Sequence, residues 1–74
     1  MVTKEFRLMK NSIGRYEPVD GDHEYTSGDP MEALVGGNWV KGRVEYSHDI
    51  GDYFLELNDS AVFLRAGMKV RLNR

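Results

Sequence analysis

The side chains in this sequence that are able to bind metals or catalyse reactions are few, and their spacing favours no catalytic site. The two histidines, His23 and His48, each lie in a predicted loop, and only Asp49 and Asp52 follow closely after the second one. A metal site needs three or four ligands held in a fixed shell, so this pattern indicates structural or incidental histidines. The chain contains no cysteine, which excludes thiolate ligands and disulfide bonds. We therefore expect no metal site, no cofactor and no enzymatic activity.

Two glycine-containing segments resemble ligand-binding loops only superficially. Asp20-Gly21-Asp22 lacks the third alternating ligand and the distal glutamate of a calcium loop. Gly36-Gly37 closes a hairpin and does not open a helix, which excludes a phosphate-binding loop. The serines lie in turn contexts without a neighbouring base that could activate a hydroxyl. No small-molecule substrate is evident from these patterns.

Aromatic and basic side chains in the middle of the chain favour a binding surface instead. Trp39, Lys41 and Arg43 alternate along one predicted strand, so they share its outer face. Phe54 is predicted on the outer face of the following strand. Such side chains stack on nucleic-acid bases and pair with phosphates, and they are equally typical of protein-binding hot spots. We predict that these four residues form a partner-binding patch.

The same tryptophan also has a structural interpretation. Trp39 follows a tight turn, where its ring can lie over Phe6 or Ile13 and seal one end of a barrel, with a lysine stem across the ring. An aromatic cage for methylated side chains is a minor alternative, because alternation separates Tyr53 from Phe54. The sequence therefore leaves open whether the indole is exposed or seals the barrel.

The distribution of charge ranks the two classes of partner. The formal net charge is −2, so the whole molecule has no attraction for phosphate. Residues 17–32 carry six acids and no Lys or Arg, whereas residues 61–74 carry four cations and no acid. Neutralisation between these two segments in a closed barrel is the simpler interpretation. The alternative is nucleic-acid binding through the same face together with Arg65, Lys69 and Arg71.

A β-hairpin is the best-defined element of the sequence. Two strands that alternate apolar and polar residues flank three turn-forming residues: 31–35, 39–44 and Gly36-Gly37-Asn38. A turn at Gly37-Asn38 places Glu32 opposite Arg43, whereas a turn at Gly36-Gly37 places it opposite Lys41. Both registers keep apolar side chains on one face. A three-residue loop mixes the two faces and is rejected.

The remaining segments predict a small all-β domain. Five or six short strands are separated by glycine-bearing turns, with a tight helical turn at Arg65-Ala66-Gly67 before the last strand. Residues 1–13 form a leader, which is either flexible or packed on the barrel, and residues 14–74 form the barrel domain. Within the leader, Phe6, Met9 and Ile13 fit helical spacing, but an edge strand is also open.

The lack of long apolar segments is the basis for a prediction of where the protein is located. No apolar run in the chain approaches the roughly 20 residues that a helix needs to cross a bilayer. The first six residues also lack the apolar region of a secretory signal. We therefore expect no membrane partner and a cytoplasmic location.

The order of these features resembles small uncharacterised bacterial domains with an SH3-like barrel. The resemblance runs from about residue 14 to residue 72 and is carried by four segments: Tyr25-Thr26-Ser27-Gly28-Asp29-Pro30, 37–45, Tyr53-Phe54-Leu55 and 67–72. It implies an all-β, SH3-like barrel of about five antiparallel strands. That family has no established activity, so the resemblance implies no functional residues. We predict a non-catalytic protein-interaction module whose partner is another protein or a second copy of the chain.

Overall fold

The computed structural model describes residues 3–19 and 23–73, which form a curled antiparallel sheet that closes into a half-barrel. The strands, in chain order, are β1 (Thr3–Lys10), β2 (Tyr16–Pro18), β3 (Pro30–Val35), β4 (Asn38–Ser47), β5 (Asp52–Glu56), β6 (Ala61–Phe63) and β7 (Lys69–Asn73). In space their order is β2-β1-β7-β3-β4-β5-β6. The predicted all-β, barrel-like class is confirmed, with seven strands in place of about five. The predicted turn at Asp20-Gly21-Asp22 lies outside the described residues.

The core lies on the inner face of the curled sheet. Nine side chains are buried there: Leu8, Tyr16, Tyr25, Met31, Ala33, Val44, Leu55, Leu64 and Val70. Val40 and Leu57 are partly buried against them. The alternation predicted for β4, β5 and β7 is therefore present, because Val44, Leu55 and Val70 face inward as expected.

Strand β1 lies within the segment that the sequence presents as a leader. It pairs with β7 on one side and with β2 on the other, and its Leu8 side chain is buried. Phe6 and Leu8, two residues apart, both pack in or against the core, so this segment follows the two-residue period of a strand. Met9 and Ile13, which suggested helical spacing, are exposed. The sheet consequently begins at Thr3 and not near residue 14.

The central hairpin turns at Gly36-Gly37. Both glycines have positive φ, 57° and 83°, as the two central residues of a type I′ turn require. Two residues without a Cβ adopt this conformation at the lowest cost, which favours Gly-Gly over Gly-Asn. The register is therefore the second of the two predicted ones, with Glu32 opposite Lys41 and Leu34 opposite Trp39.

Strand β4 changes partner near its middle. Its first half pairs with β3 as far as Arg43, and its second half pairs with β5 from Arg43 onward. At Gly42 a Cβ atom would collide with the carbonyl oxygen of Glu56 and lie 2.8 Å from Cδ2 of Leu57. The missing side chain thus lets the end of β5 approach β4 closely.

The segment before β7 forms a β-turn, and the predicted short helical turn there is wrong. The amide of Met68 donates to the carbonyl of Arg65 at 3.3 Å, and Gly67 has φ of +94°. Positive φ at the third residue is the requirement of a type II turn, and a right-handed helix excludes it. The described residues contain no helix.

Side chains close the half-barrel at the end where β2 approaches β5 and β6. The Tyr16 hydroxyl donates to the carbonyl of Leu64 at 3.0 Å, and Lys10 Nζ lies 3.0 Å from Asp52 Oδ2. Burial acts to raise the pKa of Asp52, but hydrogen bonds from Lys10 and from the Tyr53 amide outweigh it and hold that pKa below its usual value. Within the described part of the chain, β5 is the one strand that pairs with β6.

Candidate protein-interaction surface

The outer face of the sheet carries two separate groups of aromatic side chains, one in each half of β4. Trp39 lies at the start of β4, whereas Phe54 lies opposite Glu45, six residues further along that strand. Six residues of extended strand span about 20 Å. The structure therefore places the two aromatic residues of the predicted patch on the same face but does not bring them together.

The first group, called here the tryptophan group, consists of Glu32, Leu34, Trp39 and Arg71. Trp39 is partly buried and lies opposite Leu34 in the hairpin. The Arg71 guanidinium lies 4.3 Å from the centroid of the indole ring, and its Nη2 donates to Glu32 Oε2 at 2.7 Å. The hydrogen bond from Arg71 holds the pKa of Glu32 below its usual value. The exposed face of this tryptophan is thus largely occupied by side chains of its own chain.

Trp39 is not fully enclosed, and its ring does not seal the end of the barrel in the predicted way. Trp39 keeps part of its surface exposed, and the cation over its ring is Arg71 and not a lysine. Phe6 packs against the core on the inner face, and Ile13 is 67% exposed. The contact partners of the indole therefore come from β3 and β7, which are distant in sequence from β1.

The other basic residues of the predicted patch lie among carboxylates. Lys41 lies opposite Glu32, whose pKa its charge also helps to lower. Arg43 pairs with two acids, with Nε 3.1 Å from Glu45 Oε2 and Nη2 3.4 Å from Glu56 Oε1. These neighbours reduce the positive potential that the outer face presents to an anionic ligand.

The residues predicted for nucleic-acid contact are placed in two different regions. Lys69 and Arg71 alternate along β7. Nζ of Lys69 lies 3.6 Å from Oε1 of Glu5, and Arg71 forms an ion pair with Glu32. Arg65 is exposed in the turn between β6 and β7. The Arg71–Glu32 pair joins the basic C-terminal segment to the acidic segment 17–32, as expected if the two segments neutralise each other.

The second group, called here the phenylalanine patch, surrounds an open depression of about 190 Å³ near the edge of the sheet. Its residues come from the β4–β5 loop and from β4, β5 and β6: Ser47, Ile50, Phe54, Ala61 and Phe63. Phe63 is 65% exposed and Ile50 is 47% exposed. None of the described residues that line the depression is charged. An exposed, uncharged aromatic patch of this kind commonly marks a protein-interaction site.

Sequence reasoning identifies Phe54 but misses the other aromatic residue of the patch. Phe63 lies directly opposite Phe54 across the β5–β6 pair, and the intervening Val62 packs against the core. The alternation of Ala61, Val62 and Phe63 is the available signal, since an inward Val62 requires an outward Phe63. Because β6 is only three residues long, its alternation is weak evidence for which side chains face outward.

The described parts of the chain contain neither a metal-binding group of side chains nor a helix that could cross a membrane. Residues 3–19 and 23–73 hold no group of three or more side chains that could bind a metal ion. Over the same residues, no helix has the length and apolarity needed to cross a membrane.

Comparison with known proteins identifies a family. Residues 6–72 match the profile of a protein family described as "Domain of unknown function (DUF5348)". No curated protein and no solved structure matches the chain significantly. The match begins inside β1, earlier than residue 14, and it includes both the tryptophan group and the phenylalanine patch.

Proposed function

The chain belongs to the DUF5348 family of domains of unknown function, and we propose that it acts as a non-catalytic protein-interaction module. The phenylalanine patch is the single observation that carries this proposal. Phe63 and Ile50 remain 65% and 47% exposed beside Phe54, and the described residues that line the depression between them are uncharged. Burial of such a surface against a partner is favourable by about 25 cal/mol per Å² of apolar area. A cytoplasmic location belongs to the same proposal.

The position of the patch indicates how a partner would bind. Strand β6 has β5 as its neighbour on one side, and residues 3–19 and 23–73 supply no strand on the other. The amide of Leu57 donates to the carbonyl of Ser60, so Val62 and Leu55, two residues further along each strand, form the next hydrogen-bonded pair. The backbone groups of Ala61 and Phe63 therefore point away from β5.

An extended polypeptide fits these outward backbone groups. It would add a strand beside β6, with main-chain hydrogen bonds to Ala61 and Phe63. Alternate side chains of that strand would lie on the outer face, where the depression between Phe54 and Phe63 can receive an apolar group. Backbone pairing would supply affinity, and the depression would supply preference for apolar side chains.

The other predicted contact residues have a smaller part in this proposal. Phe54 belongs to the patch, whereas Trp39, Lys41 and Arg43 lie in or near the other half of the outer face. Arg43 lies closest to the patch, because it pairs with Glu56 next to Ala61. Trp39 and Lys41 remain predicted contacts for a partner large enough to cover both halves.

A capture experiment tests the proposal with one variant and one matched control. The immobilised protein is incubated with extract of the native host and, separately, with a tagged copy of the chain. Phe63→Thr removes the aromatic ring but keeps a strand-forming side chain. Ile13→Thr is the control, because Ile13 is 67% exposed against 65% for Phe63 and lies outside the patch. Captured proteins are identified by mass spectrometry and re-tested in purified form.

The expected result is selective loss of binding. The wild type and Ile13→Thr bind the same purified protein with equal affinity, and Phe63→Thr binds it at least about tenfold more weakly, as for an interface hot spot. Equal binding by all three proteins would exclude the patch as the interface. Failure of the wild type to bind any protein, including its own tagged copy, would reject the proposed function.

Nucleic-acid binding is the alternative and has less support. Lys69 and Arg71 already lie beside Glu5 and Glu32, and Arg43 lies between two carboxylates. Phosphate contacts release counterions, so nucleic-acid binding would weaken steeply as salt is added. Binding of mixed oligonucleotides at low salt, with that dependence, would move this alternative ahead of protein binding.

A further inference from the structure

We infer that the extended segment bound at the phenylalanine patch carries an apolar side chain flanked by lysine or arginine. This inference rests on the proposed function and names the chemical class of its partner, a basic and apolar stretch of another protein. It follows from the charge of the segment that forms the patch, from the carboxylates beside the depression, and from the cation that covers the tryptophan group.

The segment of the chain that forms the patch is strongly acidic. Residues 44–64 contain five Asp or Glu residues and no Lys or Arg, whereas the rest of the chain contains seven acids and all ten cations. The small net charge of −2 therefore hides a negative segment around the patch and a positive remainder. Such a separation of charge attracts a cationic partner to the patch and repels phosphate and acidic peptides from it.

Two carboxylates lie on the outer face directly beside the apolar depression. Glu45 lies opposite Phe54, and Glu56 lies opposite Ala61. Both carboxylates pair with Arg43, so one guanidinium is shared between two acids. Glu56 is exposed beside that shared cation. A cationic side chain of a partner would therefore meet a carboxylate at the border of the depression.

The small side chain of Ala61 leaves a path from the added strand to Glu56. A strand beside β6 lies two strand spacings from β5, or about 10 Å. Between that strand and Glu56, Ala61 contributes only a methyl group. A long lysine or arginine stem can cross this methyl group and place its charge beside the carboxylate. An apolar side chain two residues away on the same face of the added strand would then lie over the depression.

The tryptophan group shows the same arrangement with its cation already in place. Arg71 lies 4.3 Å from the centroid of the Trp39 ring and donates to Glu32 at 2.7 Å. The phenylalanine patch has aromatic rings beside carboxylates, but residues 3–19 and 23–73 place no Lys or Arg over the Phe63 ring. A partner's cation beside β6 would complete this half of the outer face as Arg71 completes the other, over a ring and next to a carboxylate.

Selection from a phage-displayed library of random peptides tests this inference. Peptides that bind the immobilised wild type are kept, and those that also bind Phe63→Thr are discarded. We expect the remaining peptides to carry an apolar residue with lysine or arginine two positions before or after it, because these side chains share one face of a strand. The most enriched peptide is synthesised in its basic form and in an acidic form, with glutamate in place of each cation. Fluorescence anisotropy measures the affinity of both forms.

Charge reversal at the border of the depression supplies the decisive variant. Glu56→Lys should bind the basic peptide about tenfold more weakly than the wild type, because an attractive contact becomes repulsive. It should bind the acidic peptide more tightly than the wild type does, a gain that a misfolded protein cannot show. Glu5→Lys is the matched control, since the Glu5 side chain is 51% exposed against 48% for Glu56 and also pairs with a cation. Glu5 lies on β1, far from β6 in the strand order, so this control should bind both peptides like the wild type.

The outcomes distinguish this inference from the proposed function. Phe63-dependent peptides that lack basic residues, or peptides whose binding is the same to Glu56→Lys and to the wild type, reject the basic partner and leave the interaction module standing. Failure to select any Phe63-dependent peptide also overturns the inference, and the capture experiment then decides the proposed function independently. If a captured protein binds in a Phe63-dependent manner but equally well to Glu56→Lys, only the basic chemistry of the partner is wrong.

Discussion

The tryptophan group and the phenylalanine patch lie on the same outer face, yet they differ in how far the chain itself covers them. The Trp39 ring is stacked by Arg71, which is in turn held by Glu32 at 2.7 Å. Phe63 has one aromatic neighbour across the strand pair and is otherwise open. Aromatic and basic residues that are close in sequence therefore do not by themselves define a free binding surface.

Strand order explains the difference between the two groups. Strand β7 pairs with β3, and this pairing places Arg71 opposite Glu32 beside the tryptophan. The tryptophan group therefore lies in the interior of the sheet, where neighbouring strands supply partners on both sides. The phenylalanine patch lies at the β6 edge, where the sheet ends. Under the proposed function, the partner that covers Phe63 comes from another molecule.

Gly42→Ala changes the segment of β4 that lies between the two groups and should have the largest effect on stability. The new Cβ would collide with the Glu56 carbonyl oxygen and crowd Leu57, so β5 would have to move. We expect the free energy of unfolding to fall by about 3 kcal/mol, the upper end of the range for overpacking. Urea denaturation measures this change.

Gly51→Ala is the control for that substitution. Gly51 has φ of +66°, and no atom lies within 4 Å of the position that a Cβ would take, so alanine there adds backbone strain alone. This strain should cost about 1 kcal/mol. If Gly42→Ala is no more destabilising than Gly51→Ala, the close approach of β5 to β4 at Gly42 is contradicted.

Trp39→Ala and Phe63→Ala compare the two aromatic groups directly. Loss of the indole removes its contacts with Leu34 and Arg71, and we expect a loss of about 2 kcal/mol in the free energy of unfolding. Phe63→Ala should change it by less than about 0.5 kcal/mol, because that ring is 65% exposed. Thermal or urea unfolding must be measured at low protein concentration, since association stabilises the folded state. Equal losses, or a larger loss for Phe63→Ala, would contradict the comparison.

The parts of the structure that depend on local alternation could be predicted from the sequence. The hairpin and the inward side chains of Val44, Leu55 and Val70 follow from residues that are adjacent in sequence. The turn at Gly36-Gly37 is one of two allowed alternatives, because either turn keeps the apolar residues on one face. The β-turn at Gly67 resembles a helical turn in sequence, since the sign of φ at one glycine decides between them.

The features that define the candidate site depend on strand order, which the sequence does not reveal. The contact of Arg71 with Trp39 requires β7 to pair with β3, and the exposure of Phe63 requires β6 to be an edge. For β1 the sequence leaves a strand and a helical turn both open, for a related reason. Its alternation of Phe6 and Leu8 competes with helical spacing, and its pairing with β7 joins residues more than 60 positions apart. Long-range pairing thus determines which of two aromatic groups remains available to a partner.

Glu32→Gln should have the smallest effect on stability. The pH dependence of that effect tests whether the ion pair stabilises the tryptophan group. The hydrogen bond from Arg71 lowers the pKa of Glu32 below its ordinary value of 4.5, so the unfolded chain takes up the proton more readily than the folded one. The stability contributed by this pair is therefore complete above pH 4.5 and is lost as pH falls through the lower pKa of the folded state. The difference in the free energy of unfolding between the wild type and Glu32→Gln should shrink on acidification from about pH 7 to about pH 3. No such change should separate the wild type from Phe63→Ala, because no charged side chain lines the phenylalanine patch. A wild-type advantage over Glu32→Gln that stays constant through acid pH would show that the ion pair does not stabilise the tryptophan group.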